Sequence, residues 1–349
     1  MKTLLELFPT VQHRVVPPVL IVLGSPWPVA QLVRELGDVP ITCFQMDVFQ
    51  AKRLREKLTD NGLTAEVVCS ADLWDLPPTF KTAIFPASAY SDFELKLDMV
   101  EQGFHVLEEG GLFISLSEYE KDSLFAKRHK KVFGKCSESP TSENGMAFWS
   151  VKTGEQKRRR HALNFHAKVG DGASMNFETY PGTFSYGRMD DGARAMLEVA
   201  FSLGVKPGSK VLDMGCGNGS VGCLAYPWTQ PGGHVTFVDS HTRAAALTEL
   251  NAKANGLEHY TILTNSILDC LEAKSFDLCL ANPPYYANSE VARMFIDGAR
   301  ELLKPGGRFF LVTKMPVQTI PEVVETFGDV ESIENRGYTI LVGTGGDAE

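Results

Sequence analysis

The 349-residue sequence has no run of 18 or more uncharged apolar residues, so no membrane-spanning helix is expected. Its first residues hold only a short apolar stretch, interrupted by Glu6, and no signal-peptide pattern. Cysteine is sparse and scattered. The seven residues, at 43, 69, 136, 216, 223, 270 and 279, form no Cys-x-x-Cys pair. That argues against a zinc site or a disulfide framework and predicts reduced thiols in a cytoplasmic protein. Basic charge is also in deficit. Lys and Arg number 34 against 43 Asp and Glu, a net charge of −9, which by itself disfavours a nucleic-acid partner. What remains is an ordinary globular composition, 44% hydrophobic and 22% charged. It excludes a collagen, a coiled-coil rod and wholesale disorder, and the length predicts two domains.

The distribution of charge says more than its sum. Residues 1–150 carry a net −5, residues 151–168 a net +5, and residues 169–349 a net −9. A basic strip, Lys152–Lys168, therefore joins two acidic halves. We expect domains at 1–150 and 169–349 with 151–168 as a basic linker.

Both halves show the same order of signals. In the second, strands are predicted at Lys210–Met214, His234–Asp239, Tyr260–Thr264, Phe276–Ala281 and Arg308–Val312, with helices at Arg243–Ala254 and Val291–Leu303. In the first, strands are predicted at Pro17–Leu23, Ile41–Asp47, Ala83–Phe85 and Leu112–Leu116, with a helix at Lys52–Leu58. Asn61-Gly62-Leu63 matches Asn255-Gly256-Leu257, and Glu109-Gly110-Gly111 matches Pro305-Gly306-Gly307. Alternating strands and helices imply a mostly parallel sheet covered on both faces. The fold class expected is α/β, as two tandem Rossmann-like domains from an internal duplication. Residues 1–16 and 343–349 carry no signal.

The copies differ where chemistry would sit. The second has Asp213-Met214-Gly215-Cys216-Gly217-Asn218-Gly219, a strand running into clustered glycines before a helix, which lets a ligand approach the backbone. Asp213 could meet a cationic amine, and Asp239, ending the next strand, could accept from ribose hydroxyls. Gly217–Gly222 also matches the dinucleotide pattern G-x-G-x-x-G. The decisive motif is Asn282-Pro283-Pro284-Tyr285, after the fourth strand. An exocyclic amine on a base is a poor nucleophile, because its lone pair is delocalised into the ring. Two fixed acceptors, the Asn282 side-chain oxygen and the Pro283 carbonyl, can position it. The prolines stiffen the loop and remove competing donors, and Tyr285 offers a stacking face for an extruded base. Positioning then supplies most of the catalysis, without a metal or a nucleophilic side chain. In the first half the matching segments are Gly24-Ser25-Pro26-Trp27-Pro28 and Pro86-Ala87-Ser88-Ala89, which lack these groups.

On these motifs, residues 205–315 resemble a class I S-adenosylmethionine-dependent methyltransferase. The Asn-Pro-Pro-Tyr sequence resembles the branch that methylates amino nitrogens of bases or of a glutamine side chain. The tandem arrangement is similar to bacterial ribosomal RNA guanine-N2 methyltransferases. A segment before the first strand, Pro181–Ala193, resembles that family at Gly182, Phe184, Ser185, Asp190 and Gly192. The resemblance implies S-adenosyl-L-methionine as cofactor, held by Asp213, Gly215, Cys216, Gly217 and Gly219, with Asp239 and Ser240 at the ribose. Asn265 or Ser266 would lie by the adenine. The family's acid is missing there, and the nearest is Asp269, so all three stay open. Asn282, Pro283, Pro284 and Tyr285 would bind the target amine, with Asn282 also facing the cofactor.

The basic strip, with Arg158, Arg159 and Arg160, and a second cluster at Lys127–Lys135 could grip RNA phosphates. With Phe184, these are the candidate substrate contacts. The expected activity is methylation of a guanine N2 amine in ribosomal RNA, on free RNA or on a ribosomal subunit. The alternatives are adenine-N6 methylation, glutamine methylation of a protein, or a non-catalytic RNA-binding assembly factor. The fused pair of like domains predicts a monomer.

Overall fold

A computed structural model describes residues 2–89, 92–283 and 289–346. The chain divides into two units, Met1–His161 and Ala162–Glu349. The boundary falls inside the segment expected as linker.

The first unit holds strands β1 (Val19–Val22), β2 (Ile41–Gln45), β3 (Glu66–Cys69), β4 (Phe80–Ala87), β5 (Leu107–Ser117), β6 (Ser137–Glu138) and β7 (Met146–Val151). They form one sheet in the order β3-β2-β1-β4-β5-β7-β6. The second holds a two-stranded ribbon of β8 (Leu163–Ala167) and β9 (Met175–Thr179), then β10 (Lys210–Met214), β11 (His234–Asp239), β12 (Tyr260–Thr264), β13 (Phe276–Ala281), β14 (Leu303–Thr313), β15 (Val330–Asn335) and β16 (Tyr338–Thr344). Its sheet runs β12-β11-β10-β13-β14-β16-β15, the same order. In each sheet the first five strands pair in parallel, and the last two join antiparallel at one edge. These are two mostly parallel Rossmann-like sheets with helices.

β1 is buried along its whole length and β13 at all but Asp277, because helices cover both faces, so both read as largely apolar runs. In the second unit one face packs Met196, Leu197, Leu224 and Phe237, and the other packs Phe295, Ile296, Phe309 and Val323.

Several expectations change at the edges. Leu163–Ala167, expected as linker, pairs with β9 from Leu163↔Thr179 to Ala167↔Met175. Asp47, expected to end a strand, instead caps the helix Val48–Asp60 by accepting from the Gln50 N–H. Pro305-Gly306-Gly307 lies within the single strand β14, at a register shift between Phe276 and Leu278 of β13. Residues 2–12 form two short helices whose Leu4, Leu7, Phe8 and Val11 enter the first core. The second basic cluster is divided by burial. Arg128 and His129 are inside, while Lys127, Lys130, Lys131 and Lys135 are exposed. His129 sits between two serines. The Ser150 hydroxyl donates to the Lys135 carbonyl and so accepts from Nδ1–H of His129, which leaves Nε2 to accept from Ser115. Burial lowers the imidazole pKa to about 3, so this histidine is neutral packing.

Candidate active site

Strand order reverses between β10 and β13 in the second sheet, and such switch points leave a crevice at the carboxyl ends of the strands. The register Met214↔Ala281 makes Gly215 and Asn282 the next residues on two adjacent strands. The glycine loop and the start of the Asn-Pro-Pro-Tyr turn therefore leave the sheet side by side.

The loop is tied down on all sides. The N–H groups of Gly215 and Cys216 both donate to the Val238 carbonyl, at 2.8 and 3.1 Å. The Gly217 N–H donates to Asp239 Oδ2 at 2.8 Å, and the His241 N–H to Oδ1 at 2.8 Å. A carboxylate only accepts, so these two N–H groups fix the orientation of Asp239 at the end of β11. The helix Thr242–Ala254 holds the loop from behind. Thr248 Oγ1 donates to the Gly217 carbonyl at 3.2 Å, and Asn251 Nδ2 to the Asn218 carbonyl at 2.8 Å. Asn251 is fully buried and also bonds both backbone groups of Glu178 in β9, so the ribbon braces the loop. Gly217 has φ +57°, and a Cβ there would meet nothing within 4 Å among the described residues. Gly219 has φ +76°, and a Cβ would lie 3.1 Å from Thr248 Cα. It permits the close approach of that helix.

Asp213 is 3% exposed, and its Oδ2 accepts from the Gly222 N–H at 2.8 Å, joining the strand end to the next helix. Burial, and secondarily the charge of Asp239, raises its pKa to about 7. The Cys216 thiol is buried against Thr248 Oγ1, and burial pushes its pKa well above the usual range. Asn265 turns its side-chain oxygen to the Ser266 N–H and its amide to Cys270. Asp269 is exposed.

Asn282 is half-buried, with Nδ2 2.9 Å from Asp190 Oδ2. Pro283 is buried, while Pro284 and Tyr285 lie outside the described residues. Phe184 is 66% exposed. Its neighbour Ser185 has φ +59° and a buried hydroxyl with no hydrogen-bond partner among the described residues. Arg158 and Arg160 belong to the first unit, where both guanidinium groups lie over the Trp74 ring, at 5.7 and 4.7 Å. Arg160 also pairs with Asp72 at 2.5 Å. Arg159 is exposed. Among the described residues, no group of three or more His, Cys, Asp or Glu could hold a metal.

The first unit reproduces the scaffold with the chemistry removed. Its Leu23 N–H donates to Phe44 as Gly215 does to Val238, and Leu23 adopts a left-handed φ of +56°. That places Ile21 where the second unit has Asp213, and Gln45 where it has Asp239. Gln45 donates to the Gly24 carbonyl at 3.0 Å, the reverse of the contact Asp239 makes. Pro86 stands where Asn282 stands.

Sequence reasoning missed Thr248, Asn251 and Arg243. Arg243 is 1% exposed and donates to the Pro181 carbonyl, which pins the segment leading to Phe184 and Asp190.

Residues 174–342 match the family described as "Methyltransferase small domain". Over 148 residues the chain is 34% identical to the ribosomal RNA small subunit methyltransferase C of Chromohalobacter salexigens, covering 41% of this chain and 43% of that protein. Over 159 residues it is 31% identical to the ribosomal RNA large subunit methyltransferase G of Magnetococcus marinus, covering 44% and 42%. These matches thus span less than half the length of either relative. The fold is similar to a 16S rRNA N2 methyltransferase of T. thermophilus, solved in complex with AdoMet and guanosine. The TM-score is 0.75 at 21% identity, covering 96% of this chain and 91% of that one. Within the second unit, residues 174–342 are thus similar to the methyltransferase small domain family.

Proposed function

We propose that the second unit transfers a methyl group from S-adenosyl-L-methionine to the exocyclic N2 amine of a guanine in ribosomal RNA. The observation that carries this reading is the adjacency of Asn282 to the glycine loop across the Met214↔Ala281 register. An amine-positioning acceptor and a cofactor-binding turn then share one crevice. The residues fit such a cofactor. No described residue lies within 4 Å of a Cβ built on Gly217, Asp239 places a carboxylate against the loop where ribose hydroxyls can meet it, and Asp213 supplies a buried carboxyl that a cationic cofactor would hold ionised. When bound, the cofactor supplies an electrophilic methyl on sulfur. The chain's own part is to place the amine: Asn282 Oδ1 and the Pro283 carbonyl accept its two N–H groups and leave its lone pair directed at that methyl. The ribosomal RNA substrate draws support from the relatives, which are ribosomal RNA methyltransferases, and the guanine-N2 assignment from the similar structure, a 16S rRNA N2 methyltransferase solved with guanosine; the exposed Phe184 offers a stacking face. Arg159, Lys130 and Lys131, all exposed, supply cationic groups suited to RNA phosphates.

The test is methyl transfer from labelled S-adenosylmethionine to ribosomal subunits from cells lacking the gene, followed by nucleoside analysis. Label in N2-methylguanosine on one subunit is expected. Label in N6-methyladenosine would overturn the base, and no label despite intact cofactor binding would overturn the RNA substrate.

Asp213 makes cofactor binding depend on pH. Its carboxyl is half-protonated near pH 7 in the free protein, and a cationic cofactor favours the ionised form. Affinity should therefore rise with pH, on the order of tenfold between pH 6 and pH 7.5, because one proton is released on binding. Isothermal titration across that range reads it. Asp213→Asn keeps an acceptor for the Gly222 N–H and should flatten the profile. A wild-type affinity that stays level would rule the effect out.

A further inference from the structure

Asn282 carries an amide whose two ends are alike in shape and opposite in hydrogen-bonding sense. With its oxygen toward the crevice it receives an amine. Flipped, it offers N–H groups to N–H groups. Asn282 lies just beyond the end of β13, so the sheet ladder does not set the amide's orientation.

Asp190 does set it. A carboxylate only accepts, and Asp190 Oδ2 lies 2.9 Å from Asn282 Nδ2. That contact admits one orientation, with Nδ2 toward Asp190 and Oδ1 turned away. The same oxygen also accepts from the Ala193 N–H at 2.9 Å, which makes Asp190 the N-cap of the helix Asp191–Ser202. The carboxylate is thus anchored to a helix end. Gly192 keeps the space clear, since a Cβ there would sit 3.0 Å from Asp190 Oδ2 and 2.9 Å from the Tyr338 ring. Buried Arg243, on Pro181, fixes the start of the segment that leads to this cap.

We propose that Asp190 is a positioning residue: it holds the Asn282 amide so that Oδ1 is the atom presented to the substrate amine. The proposal rests on the reading of Asn282 as the amine acceptor. A site built in this way selects for a group that donates two hydrogen bonds, and rejects a carbonyl or ether oxygen at the same place.

Asp190→Ser separates capping from positioning. Serine is a good N-cap but is too short to reach Asn282. The expected result is a fall in kcat on the order of 10²-fold, with the Kd for S-adenosylmethionine and the thermal midpoint close to wild type. Asp190→Asn retains an oxygen for both N–H groups and should recover most of the rate. In the double variant with Asn282→Ala, Asp190→Ser should add almost nothing, since it acts through a side chain already gone. Equal losses in Asp190→Asn and Asp190→Ser would assign the effect to charge and overturn the proposal. Additive losses in the double variant would overturn it too. Should Asp190→Ser fold poorly, Asp190→Thr, another N-cap residue too short to reach Asn282, takes its place in both the single and the double variant. If Asn282→Ala alone leaves the rate intact, the underlying reading of Asn282 fails instead.

Discussion

Replacing Asn282 by alanine is expected to lower kcat for methyl transfer by at least about 10²-fold, because the amine loses one of its two fixed acceptors and is no longer held in line. Alanine removes only the amide end of a half-buried side chain, and β13 ends one residue earlier. The sheet should therefore be unaffected, and the thermal midpoint should stay near wild type. The cofactor side should be spared as well. The groups that hold the loop are Val238, Asp239, Thr248 and Asn251, and none bonds to Asn282. The Kd for S-adenosylmethionine should change by less than about threefold, and this divides the roles proposed for Asn282 between amine and cofactor. Single-turnover kinetics with saturating cofactor isolates the chemical step. A wild-type rate would remove Asn282 from the reaction. A large loss of cofactor affinity with the single-turnover rate preserved would move it to the cofactor's side.

The backbone of this site is legible in the sequence because it depends on local chemistry. β10, β11, β12 and β13 are read with their observed bounds, since each is a short, largely apolar run that ends at Gly215, Asp239, Asn265 or Asn282-Pro283. The glycines at 215, 217 and 219 announce left-handed backbone, and all three adopt it. The bracing is not legible. Thr248 and Asn251 look like the polar face of an ordinary helix. Only the fold shows that this face turns inward, where the loop's carbonyls need donors. Asp190 enters the sequence reading only through the family resemblance; the structure makes it a helix cap, and its bond to Asn282 crosses 92 residues of sequence. The antiparallel pair β15 and β16 escapes notice because β15 alternates weakly and is largely uncovered. The basic cluster Lys127–Lys135 misleads in another way. Charge in a sequence implies solvent, yet the helix Ser123–Phe133 turns Arg128 toward the core.

Arg128→Ala should accordingly be among the most destabilising single changes in the first unit, at about 3–5 kcal/mol. Arg128 and Glu101 are each about 6% exposed and pair directly, and Arg128 Nε donates to the Leu97 carbonyl at 2.9 Å. Glu101 also meets His161 Nε2 at 2.9 Å. Truncating the arginine leaves a buried carboxylate without its main counter-charge and a backbone carbonyl without its donor, and that desolvation dominates the cost. Three of the four tryptophans, at 27, 74 and 149, belong to this unit, so urea unfolding followed by indole fluorescence reports on it. The midpoint should fall by roughly 1–5 M, given a slope of about 1–3 kcal/mol/M. Replacing both partners by apolar residues of similar size, as in Arg128→Met with Glu101→Leu, should restore most of the loss, because no charge is then stranded. A change below about 1 kcal/mol in Arg128→Ala would mean that water reaches Glu101 and that the pair is a surface one. Lys130 and Lys131, two and three residues along, are exposed and should show the opposite pattern. Their removal should leave the urea midpoint in place and lower the salt dependence of RNA binding by about one phosphate contact each. Within one basic run, burial thus assigns Arg128 to the fold and leaves Lys130 and Lys131 on the surface, where that experiment reads them.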